Sequence, residues 1–211
     1  MNTLMNTAAD VLELSPVVPV VALDDVAHAV PLAEALLRGG IRTIEVTLRT
    51  PAGLPAIERI AAEVPEMVAG AGTITEPGQA RRAVDAGARY LVTPGTTDRL
   101  LDDVEAAGVP FLAGAGTVSE AMRLAERGAT AMKFFPAEPS GGVAFLKAIA
   151  GPLPELRFCP TGGISPRTAP DYLALPNVGC VGGSWLAPAS LLAAGDWAKV
   201  EELAREAAAL R

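Results

Sequence analysis

The chain has 211 residues, of which 50% are hydrophobic and 19% are charged, proportions that are typical of a folded globular protein. The 17 Lys and Arg against 24 Asp and Glu leave a formal net charge of −7, and aromatic residues make up only 4%. These values predict no nucleic-acid partner and no anionic membrane target. No run of about 18 apolar residues occurs, so we also expect no transmembrane helix.

The first fifteen residues lack the basic start and apolar stretch of a secretory signal, and they predict a short helical extension, 1–15, before the first strand. Cys159 and Cys180 lie in apolar segments without a CxxC spacing. This pattern is typical of buried thiols in a reducing compartment, so we expect a cytoplasmic protein.

Apolar, β-branched runs alternate with Ala- and Leu-rich helical patterns along the rest of the chain. Eight runs predict strands, at Val17–Leu23, Thr43–Leu48, Met67–Ala71, Tyr90–Thr93, Pro110–Ala113, Ala131–Phe135, Arg157–Thr161 and Val178–Val181. Because no linker divides the chain, we predict a single α/β domain over 1–211, a (β/α)8 TIM barrel with a short N-terminal helix. An open, doubly wound parallel sheet is the alternative. The recurrence of Gly70–Glu76 as Gly114–Glu120, two βα units later, favours the barrel.

The second predicted strand alternates strictly, with Thr43, Glu45, Thr47 and Arg49 on the face that would point into the barrel. Charged groups there are costly unless they form an ion pair or bind a ligand. A buried Glu45–Arg49 ion pair is the structural explanation. The functional explanation is a proton-transferring carboxylate beside an anion-binding guanidinium.

The sixth predicted strand contains one of only three lysines. Lys147 and Lys199 lie in helical patterns that suit solvent, whereas Lys133 lies inside an apolar strand. Burial disfavours an ammonium, and a neutral amine is the nucleophile that a Schiff base requires. A lysine that reaches the rim or neutralises Glu45 is the alternative.

Two glycine clusters follow the last two predicted strands, Thr161-Gly162-Gly163 and Gly182-Gly183-Ser184. Barrels often bind a phosphate there on backbone N–H groups, although tight turns also require glycine. Ser165-Pro166 predicts the start of the helix that follows. The single histidine, His28, suits a packing role, and no metal-ligand spacing occurs, so we expect neither a metal nor another cofactor.

Seven segments together resemble the 2-keto-3-deoxy-6-phosphogluconate (KDPG) aldolases, which also often cleave 4-hydroxy-2-oxoglutarate, and the resemblance spans roughly residues 14 to 206. The segments are Pro19–Leu23, Glu45–Thr50, Gly70–Thr73, Thr93–Gly95, Lys133–Glu138, Phe158–Ile164 and Gly182–Trp185.

The resemblance implies a class I aldolase of the Entner–Doudoroff pathway that forms pyruvate and glyceraldehyde 3-phosphate, and it implies a homotrimer. Lys133 would form the Schiff base and Glu45 would transfer protons. The substrate-binding residues that it implies are Arg49, Thr73, Pro94, Phe135, Thr161, Gly162, Gly163, Gly183 and Ser184.

Three alternatives remain open at the level of sequence. The aldolase could prefer 4-hydroxy-2-oxoglutarate or the galactonate epimer. A phosphosugar isomerase or epimerase would use Glu45 as a base but would not need Lys133. A non-catalytic phosphosugar-binding barrel would keep the glycine clusters but need neither Lys133 nor Glu45.

Overall fold

The structure, a computed structural model, describes residues 6–210. Its strands are β1 (Val17–Val21), β2 (Thr43–Thr47), β3 (Val68–Gly72), β4 (Tyr90–Val92), β5 (Phe111–Leu112), β6 (Gly114–Ala115), β7 (Ala131–Phe134), β8 (Arg157–Pro160) and β9 (Val181–Gly183). Its helices are α1 (Ala8–Leu12), α2 (Ala29–Arg38), α3 (Gly53–Glu63), α4 (Gln79–Asp85), α5 (Asp98–Ala106), α6 (Val118–Glu126), α7 (Gly142–Ile149), α8 (Ala169–Leu173), α9 (Ala189–Ala194) and α10 (Trp197–Ala208), with a 3₁₀ turn at Val26–His28. None of these helices combines the length and the apolar character that crossing a membrane requires.

The strands close into the predicted barrel rather than an open sheet. One parallel sheet has the order β5-β4-β3-β2-β1-β9, and the other has the order β6-β7-β8. Two parallel bridges, Phe158 to Val178 and Thr161 to Gly182, join β8 to β9. The chain itself joins β5 to β6. The prediction of an α/β TIM barrel is therefore confirmed.

The fifth barrel strand differs from the prediction because it is broken into β5 and β6 at Ala113. At the break, the Gly114 N–H donates to the Thr93 hydroxyl at 2.9 Å instead of to a neighbouring strand. Gly114 also lies against the backbone of Pro94, which would be only 2.4 Å from a Cβ at position 114. The loop after β4 therefore occupies the space of a continuous fifth strand.

The last strand is shifted toward the C-terminus relative to the prediction. Within the expected range Val178–Val181, Val178 forms an isolated bridge and Val181 is the first residue of β9, which extends to Gly183. Gly182 and Gly183 pair with Val18 and Pro19 of β1. They are thus part of the strand, whereas the prediction placed them after it.

Helix α1 covers the N-terminal end of the barrel. Thr7 and Asp10 form a capping box at its start, and Val11 and Leu12 are fully or nearly fully buried. These two side chains belong to the cluster inside the barrel, together with Val18, Val68, Tyr90, Val92, Leu112, Ala131, Cys159 and Cys180. The helix lies within the predicted extension 1–15, of which residues 1–5 fall outside the described part.

The other helices bury one apolar face each against the outside of the sheet. On α5, Thr97 accepts a hydrogen bond from the Leu100 amide as N-cap, and Leu100, Leu101 and Val104 are buried. Helix α8 begins at Ala169, three residues after the predicted Ser165-Pro166 start. Its delay has a local cause, because Ser165 and Thr168 hydrogen-bond to each other and close a turn first.

One glycine leaves room for the largest side chain in the barrel interior. Tyr90 is fully buried, and a Cβ at Gly70 on the neighbouring strand would lie 2.2 Å from its ring. Only a residue without a side chain fits at this position while the tyrosine ring stays in place.

We expect Gly70→Ala to lower the free energy of unfolding by on the order of 1–3 kcal/mol, because the ring must move within a packed core. Gly151→Ala is the matched control, since nothing lies within 4 Å of its Cβ position. That control should change stability by less than about 0.5 kcal/mol. Urea unfolding of both variants measures the difference, and equal stabilities would contradict the packing argument.

Candidate active site

Strand β2 carries Glu45 into the barrel. All five residues of β2 are buried, because helices cover one face of the strand and the barrel interior covers the other. Thr47 Oγ1 donates to the Val21 carbonyl at 3.1 Å, so this buried hydroxyl has a hydrogen-bond partner. Arg49 lies beyond the end of β2 and is exposed at the rim. It is not inside the barrel, and the expectation that it shares the interior with Glu45 is wrong.

Strand β7 carries Lys133 to the same interior point. Lys133 Nζ lies 3.2 Å from Glu45 Oε1 and 3.5 Å from Oε2. The two side chains are only 5% and 4% exposed. The structure thus brings together two of the three charged residues that sequence analysis placed inside the barrel, although they are 88 positions apart.

The space around this ion pair depends on small and polarisable neighbours. A Cβ at Gly72 would lie 2.1 Å from Glu45 Oε1, so glycine there admits the carboxylate. The Phe135 ring centroid lies 5.4 Å from Lys133 Nζ, within the range of a cation–π contact.

Cys159 pairs with Lys133 across β7 and β8. A hydrogen bond with Cys180 and, to a smaller extent, the positive charge of Lys133 lower the pKa of the Cys159 thiol.

A second pair of polar residues lies at the rim, above the β2 and β3 ends. Arg49 Nε donates to Thr73 Oγ1 at 3.2 Å. Among the residues between 6 and 210, Thr73 is the non-glycine residue that adopts a positive φ, at 61°. This conformation is unfavourable for a side chain with a branched Cβ, and such strain is concentrated at functional sites. Arg49 and Thr73 together present a cationic and a hydroxyl donor toward the barrel mouth.

The Gly162–Gly163 cluster follows β8, three strands around the barrel from β2, and the Gly182–Gly183 cluster lies in β9, two strands from β2. Gly162 and Gly163 follow β8 with φ angles of 105° and 83°. Residues with a side chain rarely adopt such positive φ values, so these backbone amides have orientations that glycine makes accessible. The Thr161 side chain is buried against Gly182, where a Cβ would lie 2.2 Å from Thr161 Oγ1. At Gly183, a Cβ would lie 1.8 Å from the Trp185 ring. These close contacts explain the second glycine pair.

Three further predicted residues surround the mouth. Phe135 lies against the Gly162 loop, since its Cε2 would be 3.3 Å from a Cβ at position 162. Pro94 packs over Gly114, the residue that pairs with Lys133. Ser184 follows β9 directly and is exposed. The residues predicted for the site therefore all lie in the barrel interior or at the C-terminal ends of the strands.

Sequence analysis placed Thr43 on the inward face of its strand but missed its contact with the buried Tyr90. The Tyr90 hydroxyl lies 2.9 Å from Thr43 Oγ1, which in turn donates to the Val68 carbonyl. Burial, and to a smaller extent the charge of Glu45, raise the pKa of Tyr90 well above its usual value. Tyr90 thus stays neutral as the floor of the chamber. The one available sequence signal was a tyrosine in a strand beside a glycine-rich strand.

Comparisons with known proteins agree with this site. The sequence model of the family described as KDPG and KHG aldolase matches residues 8–203. The chain is 52% identical to a 2-dehydro-3-deoxy-phosphogluconate aldolase of Pseudoalteromonas atlantica, over 96% of this chain and 94% of that protein. It is 49% identical to the KHG/KDPG aldolase of Escherichia coli, over 98% of this chain and 97% of that protein.

Solved structures are similar over the same length. The KDPG aldolase of Legionella pneumophila, with pyruvate captured as a covalent carbinolamine, superposes with a TM-score of 0.93 at 42% identity, over 96% of this chain and 98% of that chain. The Zymomonas mobilis aldolase with 3-phosphoglycerate has a TM-score of 0.91 at 44% identity, over 98% and 97%.

Removing one partner of the buried ion pair should destabilise the fold. We expect Glu45→Ala to cost about 3–5 kcal/mol of unfolding free energy, because it leaves the Lys133 ammonium buried without a partner. Asp85→Ala is the control, because the Arg81–Asp85 pair is 72% and 57% exposed. It should cost less than about 1 kcal/mol. Equal losses in urea unfolding would contradict a dry, buried pair.

Proposed function

Because the chain belongs to the KDPG and KHG aldolase family, we propose that it reversibly cleaves 2-dehydro-3-deoxy-6-phosphogluconate to pyruvate and glyceraldehyde 3-phosphate through a Schiff base on Lys133. The buried contact between Lys133 Nζ and the Glu45 carboxylate, at 3.2 Å, is the observation that supports Lys133 as the Schiff-base residue and Glu45 as the proton carrier. The chain is accordingly a carbon–carbon lyase of the Entner–Doudoroff pathway, and family membership sets aside the isomerase and binding-barrel alternatives.

Lys133 begins the reaction as the nucleophile. Its ammonium first gives a proton to the Glu45 carboxylate. The resulting neutral amine adds to the C2 carbonyl, whose oxygen takes up that proton to form a carbinolamine. Loss of water then leaves a protonated imine between Lys133 and C2. The carbinolamine captured with pyruvate in the Legionella relative is an intermediate of the same kind, which supports this step.

The protonated imine then accepts electrons from the bond that breaks. The C4 hydroxyl loses its proton, the C3–C4 bond breaks, and the aldehyde leaves while the electron pair moves to the imine nitrogen to form an enamine. Protonation at C3 and hydrolysis of the imine release pyruvate and restore Lys133. Glu45 is the carboxylate that we assign to these proton transfers, because it is within hydrogen-bond distance of Nζ.

The rim residues would bind the two ends of the substrate. Arg49 and Thr73 would hold the carboxylate of the pyruvate half. Backbone amides of Gly162, Gly163 and Gly183, with the Ser184 hydroxyl, would hold the phosphate. Thr161 would contact the substrate hydroxyls, and Phe135 and Pro94 would line the pocket. The substrate can fit this way because its two charged ends would meet residues at the ends of different strands.

A second substrate is supported by one relative. The Escherichia coli relative is named KHG/KDPG aldolase, so we propose 4-hydroxy-2-oxoglutarate as an additional or preferred substrate of this chain. The galactonate epimer is the other candidate substrate. A homotrimer stays a prediction from the resemblance, and a cytoplasmic location stays a prediction from the two buried thiols.

Pyruvate should label Lys133 when borohydride is present, because the reductant converts the imine to a stable secondary amine. Intact-mass and peptide mass spectrometry measure the adduct and its position. Lys147→Arg and Lys199→Arg should keep the label, and Lys133→Met should lose it. A folded protein without an adduct, or with an adduct on either other lysine, would overturn the Schiff-base assignment.

Glu45→Gln should keep pyruvate binding but lose turnover by roughly 10²–10⁴-fold, the usual contribution of general acid–base catalysis. Glutamine keeps the size of the side chain and removes its capacity to carry a proton. Equilibrium binding of pyruvate and the rate of substrate cleavage separate the two effects. Near-normal cleavage by this variant would exclude Glu45 as the proton carrier.

A further inference from the structure

A short hydrogen bond outside the ion-pair chamber joins the loop after β7 to helix α8. The Tyr172 hydroxyl donates to Glu138 Oε1 at 2.6 Å. Glu138 lies in the loop after β7, and Tyr172 lies in α8, which follows the Gly162–Gly163 loop. The tyrosine residue is fully buried. Burial and the neighbouring carboxylate raise its pKa, so the hydroxyl remains a donor.

Glu138 supports the Gly162–Gly163 loop directly. Its backbone N–H donates to the Gly162 carbonyl at 3.1 Å. Its side-chain stem fills the space beside Gly163, because a Cβ at that position would lie 2.8 Å from Glu138 Cβ and 2.7 Å from Cγ. Two consecutive glycines with positive φ have little rigidity of their own. The direction of their amides therefore depends on the residue on which they rest.

The carboxylate of Glu138 lies beside Gly142 and the Tyr172 hydroxyl. A Cβ at Gly142, the first residue of α7, would lie 2.9 Å from the Tyr172 hydroxyl and 3.8 Å from Glu138 Oε2. The negative charge is thus held near the N-terminus of α7, where the helix dipole favours it. Without the Tyr172 hydroxyl, the carboxylate and its stem would lose this anchor.

We propose that Glu138 and Tyr172 are positioning residues that hold the Gly162–Gly163 loop in the shape that binds the phosphate of the aldehyde half. The inference rests on the phosphate-binding role proposed above for the two glycines. It leaves the pyruvate half unaffected, because Lys133 is held by Glu45 in the barrel interior and Arg49 by Thr73 at the rim. The pair therefore sets the preference for phosphorylated aldehydes.

Tyr172→Phe tests this role, since it removes only the hydroxyl. In the condensation direction, we expect the KM for glyceraldehyde 3-phosphate to rise about tenfold, the lower end of what a hydrogen bond to a charged group contributes. The KM for pyruvate, the kcat and the rate with unphosphorylated glyceraldehyde should stay within about twofold. Glu138→Ala should act in the same direction. Glu138→Gln keeps an oxygen acceptor for the hydroxyl and should restore most of the affinity.

Asp103→Ala is the matched control, because the Asp103 carboxylate also supports a loop, through the Gly78 amide at 3.0 Å, but a different one. It should lower Tm without changing the KM for either aldehyde. The proposal is wrong if Tyr172→Phe and Glu138→Ala raise the KM for both aldehydes by the same factor, or raise the KM for pyruvate as much as that for glyceraldehyde 3-phosphate. It is also wrong if the two variants change only Tm. In each case the role of the pair is merely structural. Failure of pyruvate and borohydride to label the unaltered protein would instead overturn the proposed function, so the two failures are distinguishable.

Discussion

The burial of two opposite charges inside a closed barrel is the constraint on which the rest of the site depends. Lys133 and Glu45 are each about 95% removed from solvent, so each needs the other to offset the loss of hydration. Their contact also brings the proposed nucleophile and the proposed proton carrier to hydrogen-bond distance. The same interaction that makes the interior tolerable for charge thus supplies the arrangement that imine chemistry requires.

Missing side chains create the space that this arrangement needs. Gly72 leaves room for the Glu45 carboxylate, Gly70 for the Tyr90 ring, and Gly182 for Thr161. Each of these positions is an interior or rim position of a strand, where glycine is otherwise unfavourable. The barrel therefore loses some packing and backbone rigidity at these positions and gains a chamber with room for Lys133 and Glu45.

The mouth of the barrel has two separate supports for its two proposed binding regions. Arg49 and the strained Thr73 support each other, and Glu138 with Tyr172 supports the Gly162–Gly163 loop. Because each support is a hydrogen bond between its own two residues, we expect the carboxylate and phosphate ends of a substrate to be bound independently. Strain at Thr73 and positive φ at the glycines are tolerated because neighbouring side chains hold them.

The alternation of strand and helix patterns was by itself enough to predict the barrel. Strict alternation along the second strand identified Glu45 as an interior residue, and the apolar sixth strand identified Lys133 as another. Only the tertiary structure decided which backbone conformation each copy of the repeated Gly-Ala-Gly-Thr segment adopts. Thr73 and Thr117 occupy the same position of the repeated segment, yet Thr73 turns to φ 61° beside Arg49, whereas Thr117 is an ordinary N-cap at φ −135°. The break at Ala113 and the Glu138–Tyr172 bond likewise depend on partners distant in sequence. Periodicity records which face of a strand is buried, but a turn takes its shape from contacts that no local pattern contains.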